Sequence, residues 1–282
     1  MAVLLGAHMS IAGGVSKAFE RAQSIDCTCM QIFTRNQNQW QSKPLDVQEI
    51  ARYQALAQST GIAPVVAHAS YLINIGSPDP ALWAKSADAL RVELERAEQL
   101  DILGVVFHPG SHMNTSEAEG LDRIARGIDH AHAATAGIRT LTLLENTAGQ
   151  GAHLGYRFEH LAAILAAVDD PSRIGVCFDT CHALTAGYEF RDQDSYARLW
   201  DEFDQVVGLE RLKVFHFNDT KKDLGSRVDR HTHIGEGFLG LEPFRLILND
   251  ARFAALPKIL ETPKEDDMAD DVINLNRLRS LL

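Results

Sequence analysis

Eight short apolar runs recur along this chain at a fairly even spacing, and amphipathic stretches with helical periodicity lie between them. The runs cover residues 3–7, 29–34, 64–67, 104–107, 140–144, 174–178, 212–217 and 257–260. They are short, often β-branched and not strongly alternating, the pattern of parallel strands covered on both faces. In 79–100, Leu82, Trp83, Ala87, Leu90, Leu94 and Ala97 recur at helical spacing, with Asp79 as N-cap and Pro80 in the first turn. Ser116 and Glu119 fit a capping box opening the next helix, and Gly137 fits its stop. Further helices are expected over 15–24, 47–59, 158–168, 196–207, 243–251 and 269–281. Eight strand–helix units in succession predict an α/β fold of the (β/α)8 TIM-barrel type. An open doubly wound sheet is the competing topology, but no glycine-rich phosphate fingerprint of the required form comes after the first run.

No linker, low-complexity tract or composition shift divides the 282 residues, so residues 1–282 read as one domain. With 45% hydrophobic and 23% charged residues the chain can bury a sizeable core and does not have a disordered composition. No apolar run is long enough to span a bilayer, and the segment MAVLLGAHMS lacks the features of a secretory signal, so a cytoplasmic protein is expected. Cys27, Cys29, Cys177 and Cys181 include no CxxC pair and read as buried free thiols. The net charge of −11 argues against a nucleic-acid partner when taken alone. Carboxylates that hold divalent cations weaken that objection, because the ions reverse the local sign of a cleft.

The residues that end the runs are more informative than the runs themselves. Successive runs end at His68, His108, Glu145 and Asp179, the next carries His216 near its end, and the last ends at Glu261. In a barrel these ends converge on one mouth, where the active sites of this fold lie. One histidine at a strand end is commonly a hydrogen-bonded rim residue; six metal-capable residues there point to a metal centre. His182 lies three positions beyond Asp179, where a turn could return it over the mouth. Asp229 and His231 are two apart, and His233 shares their face if the segment is extended, so periodicity leaves His231 and His233 equivalent. Mixed imidazole and carboxylate ligation suits zinc, with manganese or iron as substitutes. Nine such residues exceed one four-coordinate ion and match two or three ions sharing a carboxylate.

The motifs HASYLIN (68–74), FHPGSH (107–112), LENTAGQG (144–151), FDTCH (178–182), HFNDTK (216–221), DRHTHIGEG (229–237) and ILETP (259–263) occur in order, after GAHMSIAGG (6–14) and FTRNQNQW (33–40). Together they resemble the endonuclease IV family of apurinic/apyrimidinic endonucleases over essentially the whole chain. The resemblance implies a (β/α)8 barrel with three zinc ions. It implies that His68 and His108 hold one ion, that Glu145 bridges it to a second completed by Asp179, His216 and Glu261, and that His182, Asp229 and His231 hold the third. This favours His231 over His233 and leaves His233, His8 and His112 as rim or phosphate-contact candidates. His130, His132, His153 and His160 read as solvated or core residues.

The implied reaction is hydrolysis of duplex DNA on the 5′ side of an abasic site by a zinc-activated hydroxide, leaving a 3′-hydroxyl, with removal of blocked 3′ ends as a related activity. Glu145, Asp179 and Glu261 are the expected catalytic carboxylates, Glu145 as a bridge rather than a general base. An abasic nucleotide has no base edge to read, so recognition should depend on bending and flipping. By motif position Tyr71 and Leu72 are wedge residues. Asn38 stands where some family members carry an arginine wedge, with Arg35 as a nearby cation that could compensate. Lys221, Lys222, Arg227 and Arg230 form a basic cluster suited to DNA phosphates. A monomer without an obligatory protein partner is expected. Two other readings compete: a metal-dependent sugar isomerase or epimerase on the same barrel, and a non-catalytic DNA-binding protein whose ions only hold its loops.

Overall fold

A computed structural model describes residues 3–265 and 267–282; the first two residues of the N-terminal segment read for a signal lie outside the described residues. Eight parallel strands close into a barrel: β1 (Leu5–Met9), β2 (Met30–Phe33), β3 (Val65–His68), β4 (Gly104–Phe107), β5 (Leu141–Glu145), β6 (Ile174–Asp179), β7 (Leu212–Phe217) and β10 (Lys258–Leu260). Neighbours follow chain order, and β10 closes the ring between β7 and β1. The expected TIM barrel is therefore the observed fold. A two-residue antiparallel pair, β8 (Asp219–Thr220) and β9 (His231–Thr232), stands outside the barrel sheet.

Strand alternation separates two cores. Cys29, Val66, Val106, Leu143, Cys177, Val214 and Ile259 form a buried cluster of their own inside the barrel. Residues one position away, such as Val65, Val105, Leu144, Phe178 and Phe215, belong to the larger core between barrel and helices. The step of two residues from the inner cluster leads to Gln31, His68, His108, Glu145, Asp179, His216 and Glu261. An apolar floor thus lies one side-chain layer below the polar mouth. Gly6 completes that floor on β1, because a Cβ there would fall 1.9 Å from the Cys29 carbonyl oxygen.

The helices follow the expected punctuation with local differences. Asp79 caps α3 (Pro80–Gln99) through the amides of Ala81 and Leu82, and Ser116 and Glu119 form the reciprocal cap of α4 (Glu117–Ala134). Gly137 is not the stop of α4: the helix closes on Thr135, and Gly137 sits in the next turn at φ 85°. The helix expected from residue 196 begins earlier, at α7 (Gln193–Val206), because Asp192 and Ser195 cap each other. That expected over 243–251 is split into α8 (Glu242–Leu248) and a 3-10 turn, Ala251–Phe253. The remaining helices are α1 (Lys17–Ser24), α2 (Val47–Thr60), α5 (Phe158–Ala167), α6 (Thr180–Ala186) and α9 (Ala269–Arg279). Helix α6 is not among the expected helices, and it matters to the site. Among the described residues, no helix is long and apolar enough to cross a membrane.

Candidate metal centre at the barrel mouth

Glu145, at the end of β5, is fully buried and faces four imidazoles. Its Oε2 lies 3.3 Å from His68 Nε2 and 3.4 Å from His108 Nε2. Its Oε1 lies 2.9 Å from His216 Nδ1 and 3.4 Å from His182 Nδ1. The two carboxylate oxygens therefore divide between two donor groups. One is His68, His108 and Glu145; the other is Glu145, Asp179, His216 and Glu261, with Glu261 Oε2 3.2 Å from His216 Nδ1.

A third group is built by elements after the strands. Asp179 ends β6 and caps α6, its Oδ1 accepting the amide of His182 at 2.8 Å. The first turn of α6 thereby returns His182 over the mouth. From the other side the β8–β9 pair sets Thr220 opposite His231. Asp229 then sits 3.2 Å from His182 Nε2 and 3.3 Å from His231 Nε2. His233 turns away, its Nδ1 3.1 Å from the Asn274 amide nitrogen on α9. Of the two histidines that periodicity leaves equivalent, only His231 joins the group.

The far nitrogens of the rings have partners that orient them. His68 Nδ1 lies 2.7 Å from the Ala69 carbonyl, His182 Nδ1 2.9 Å from that of Asn146, and His231 Nδ1 3.2 Å from that of Glu261. Each donates Nδ1–H and turns an Nε2 lone pair into the mouth. His216 is reversed: Nε2 faces Gln31 Oε1 at 2.8 Å, so Nδ1 faces Glu145 and Glu261. Such outer partners are what metal-ligating imidazoles have. Asn218 adds to the frame, donating to Asp179 Oδ2 at 2.7 Å and accepting the Glu261 amide at 2.8 Å.

The electrostatics also call for cations. Burial alone would raise the Glu145 carboxyl, but the surrounding imidazoles, His216 and His108 first, hold it well below the usual range. Burial would lower His231, yet Asp179 and its other neighbours bring it up to about 10, and His182 is likewise raised by Asp179 and Asp229. Four carboxylates packed among five imidazoles need positive charge, which protons or divalent ions can provide. Oriented lone pairs, mixed N/O donors and a shared carboxylate fit divalent ions.

The mouth opens into a cavity of about 570 Å³, lined among others by Tyr71, His153 and Ser111. Tyr71 is 60% exposed at its edge, its ring 5.1 Å from that of His68. Leu72 is half-buried beside it, and Asn38 is exposed on the loop after β2. Arg35 corrects an expectation. It is buried, its Nε 2.6 Å from Glu93 Oε1 and its NH1 2.7 Å from the Trp40 carbonyl, so here it braces the β2 loop from within instead of standing exposed at the mouth. Lys221, Lys222 and Arg230 are exposed near the third group, whereas Arg227 lies over the Tyr156 ring. His153 stands at the rim of the mouth rather than away from it. Gln31, Asn146 and Asn218 join the site without having been singled out by sequence, although Gln31 lies two residues before Phe33 in the inward register and the asparagines adjoin named motif residues.

A closed TIM barrel with clustered histidines and carboxylates at its mouth defines a class of metal-dependent enzyme, and residues 19–280 match the family described as xylose isomerase-like TIM barrel. The chain is 54% identical to a probable endonuclease 4 of Chloroflexus aggregans, over 98% of this chain and 97% of the relative. It superimposes on the crystal structure of endonuclease IV from Thermus thermophilus with a TM-score of 0.87 and 39% identity, over 98% of both chains. The chain belongs to the endonuclease IV family. A D-tagatose 3-epimerase-like protein, at 20% identity and a TM-score of 0.73 over 98% of both chains, shares the fold alone.

Proposed function

We propose that this chain is a DNA-repair endonuclease that hydrolyses the phosphodiester on the 5′ side of abasic sites in duplex DNA, leaving a 3′-hydroxyl, and that clears blocked 3′ ends. The observation that carries the reading is Glu145, whose two oxygens serve separate imidazole groups in a mouth with a third group beside them. His68 and His108 would hold one zinc ion, Asp179, His216 and Glu261 a second shared through Glu145, and His182, Asp229 and His231 a third. When bound, zinc lowers the pKa of water to about 7 and offsets charge on the leaving oxygen.

The chain's own residues supply the rest. Ala69, Asn146 and Glu261 carbonyls hold the Nδ1 protons of His68, His182 and His231, fixing their tautomers. Tyr71 and Leu72 stand where a wedge enters a duplex already lacking one base. Lys221 and Arg230 would grip phosphates beside the third group, with Asn38 on the opposite loop. The apolar floor closes the barrel beneath the mouth, so the groups face the open side of the barrel. Residues 1–282 are read as one domain acting in the cytoplasm as a monomer. A sugar isomerase on this barrel has no need of the group His182, Asp229 and His231, which disfavours that reading.

An end-labelled duplex with one synthetic abasic site tests the proposal beside an intact duplex and zinc-stripped protein. The expected result is a single cut 5′ to the lesion, lost on stripping and restored by zinc. A metal-loaded protein that leaves the abasic duplex intact overturns it.

A further inference from the structure

The loop that carries Asp229 is tied to the rest of the mouth at two points that the ligand set does not use. The Asp229 amide donates to Gln150 Oε1 at 3.3 Å, across from the loop after β5. Two residues earlier, the Arg227 guanidinium lies 3.9 Å from the centre of the Tyr156 ring. Tyr156 is itself fixed: its hydroxyl donates to Glu117 Oε1 at 2.7 Å, in the first turn of α4. The other oxygen of Glu117 takes Arg157 NH2 at 3.0 Å and faces His160 Nε2 at 3.3 Å. Gly149 lets the β5 loop cross this ring, since a Cβ there would fall 2.7 Å from Tyr156 Cγ. Gln150 is the next residue. One aromatic ring thus seats both the residue that holds the Asp229 amide and the cation that precedes it.

The arrangement has a cost that its contacts offset. Arg227 adopts φ 53°, a left-handed conformation at a non-glycine residue, and is exposed to solvent. An exposed arginine in that conformation is free to turn elsewhere unless something holds it, and the hydrogen bond from its backbone N–H to the Thr185 carbonyl at 2.9 Å together with the ring does so. Asp229 has need of such support, because its side chain is 39% exposed while the carboxylates Glu145 and Asp179 are fully buried. It is the least enclosed acidic member of the three groups.

We propose that Tyr156 and Arg227 are positioning residues: their stack clamps the 227–231 loop so that Asp229 and His231 meet His182, and it thereby governs retention of the third ion. The inference rests on the ligand assignment proposed above. It places Arg227 with the ion-holding frame and not with the phosphate-gripping cations.

The test uses the full chain loaded with zinc, dialysed against a moderate chelator without DNA, and assayed for zinc per chain by elemental analysis. Asp229→Ala serves as the reference for loss of one ion. Tyr156→Ala and Arg227→Ala are expected to fall from about three ions to about two, with melting temperatures of the zinc-stripped proteins close to that of the stripped parent, while Tyr156→Phe keeps the ring face and retains the third ion. Parent-like zinc content in Arg227→Ala and Tyr156→Ala, with one ion lost from Asp229→Ala, overturns the clamp and leaves the ligand assignment standing. Parent-like content in Asp229→Ala itself overturns the assignment and the clamp with it. Arg227 is exposed and its replacement leaves the core untouched, so the test holds even if Tyr156→Ala does not fold.

Discussion

The Gln31 side chain accepts from His216 Nε2 at 2.8 Å, which turns His216 Nδ1 towards Glu145 and Glu261. The same amide donates through Nε2 to Glu261 and to His8 Nδ1, so one fully buried glutamine orients both a histidine and a carboxylate of the second group. Replacing it with leucine keeps the bulk and removes both instructions.

For Gln31→Leu we therefore expect a loss of zinc affinity within the range of about 10–100-fold found when outer partners of metal ligands are removed. Chelator competition measures it. Raised zinc should restore most of the cleavage. Unchanged affinity would remove Gln31 from the frame and leave the orientation of His216 to Glu145 alone.

Metal should also stabilise the fold, because the three groups draw on strands β3 to β7, the segment after β10 and the loops around β9. Binding to the folded chain alone adds about 4 kcal/mol at a thousandfold excess over Kd, or on the order of 10 °C in Tm for a chain of this size. A thermal melt of stripped protein with and without zinc is the measurement. Glu145→Gln should lose most of the shift, since it leaves both groups short of a shared charge. A shift of full size in Glu145→Gln would contradict the bridging role.

The barrel and its mouth are legible in the sequence because two periodicities coincide. The apolar runs announce strands, and the position after each run announces its chemistry; Val66 to His68 and Leu143 to Glu145 are single inward steps along one face. His182 is placed by a turn after Asp179 that proves to be helix α6, a segment too short to show a helical pattern. The pairing of β8 with β9 is out of reach, because two-residue strands separated by ten residues leave no alternation to detect. Arg35 misleads for a different reason. A cation beside polar loop residues looks solvated until Glu93, on a helix far along the chain, is brought under it.

Acid should destabilise the protein partly through His132. This residue is buried, its Nε2 2.8 Å from Thr142 Oγ1 and its Nδ1 without a partner among the described residues. Burial first, then Arg173, pushes its pKa down to about 4, whereas the unfolded imidazole titrates near its ordinary 6.5. The unfolded chain thus takes the proton first as pH falls. Stability is complete above about 6.5 and is lost as pH falls from there to about 4, amounting to about 1–2 kcal/mol by pH 5. His132→Gln should flatten the fall in Tm between pH 7 and 5 by several degrees relative to the parent. Parallel pH curves for the two proteins would show that His132 carries no part of the slope.

The outward and inward faces of the β2 loop should respond to mutation in opposite ways. Asn38 is exposed while Arg35 is locked to Glu93, so on the proposed function a cation added at 38 faces the DNA, whereas one removed at 35 acts on the fold. Asn38→Arg is expected to tighten binding of an abasic duplex and to steepen the salt dependence by about one unit of log Kd against log salt. Glu93→Ala leaves a buried guanidinium unpaired and should cost about 3–5 kcal/mol in urea unfolding. Arg35→Leu should lower stability as well, with the salt slope of the protein that remains folded unchanged. A flatter slope in Arg35→Leu would mean that the loop turns this arginine outward when DNA arrives, and the contact first expected of it would stand.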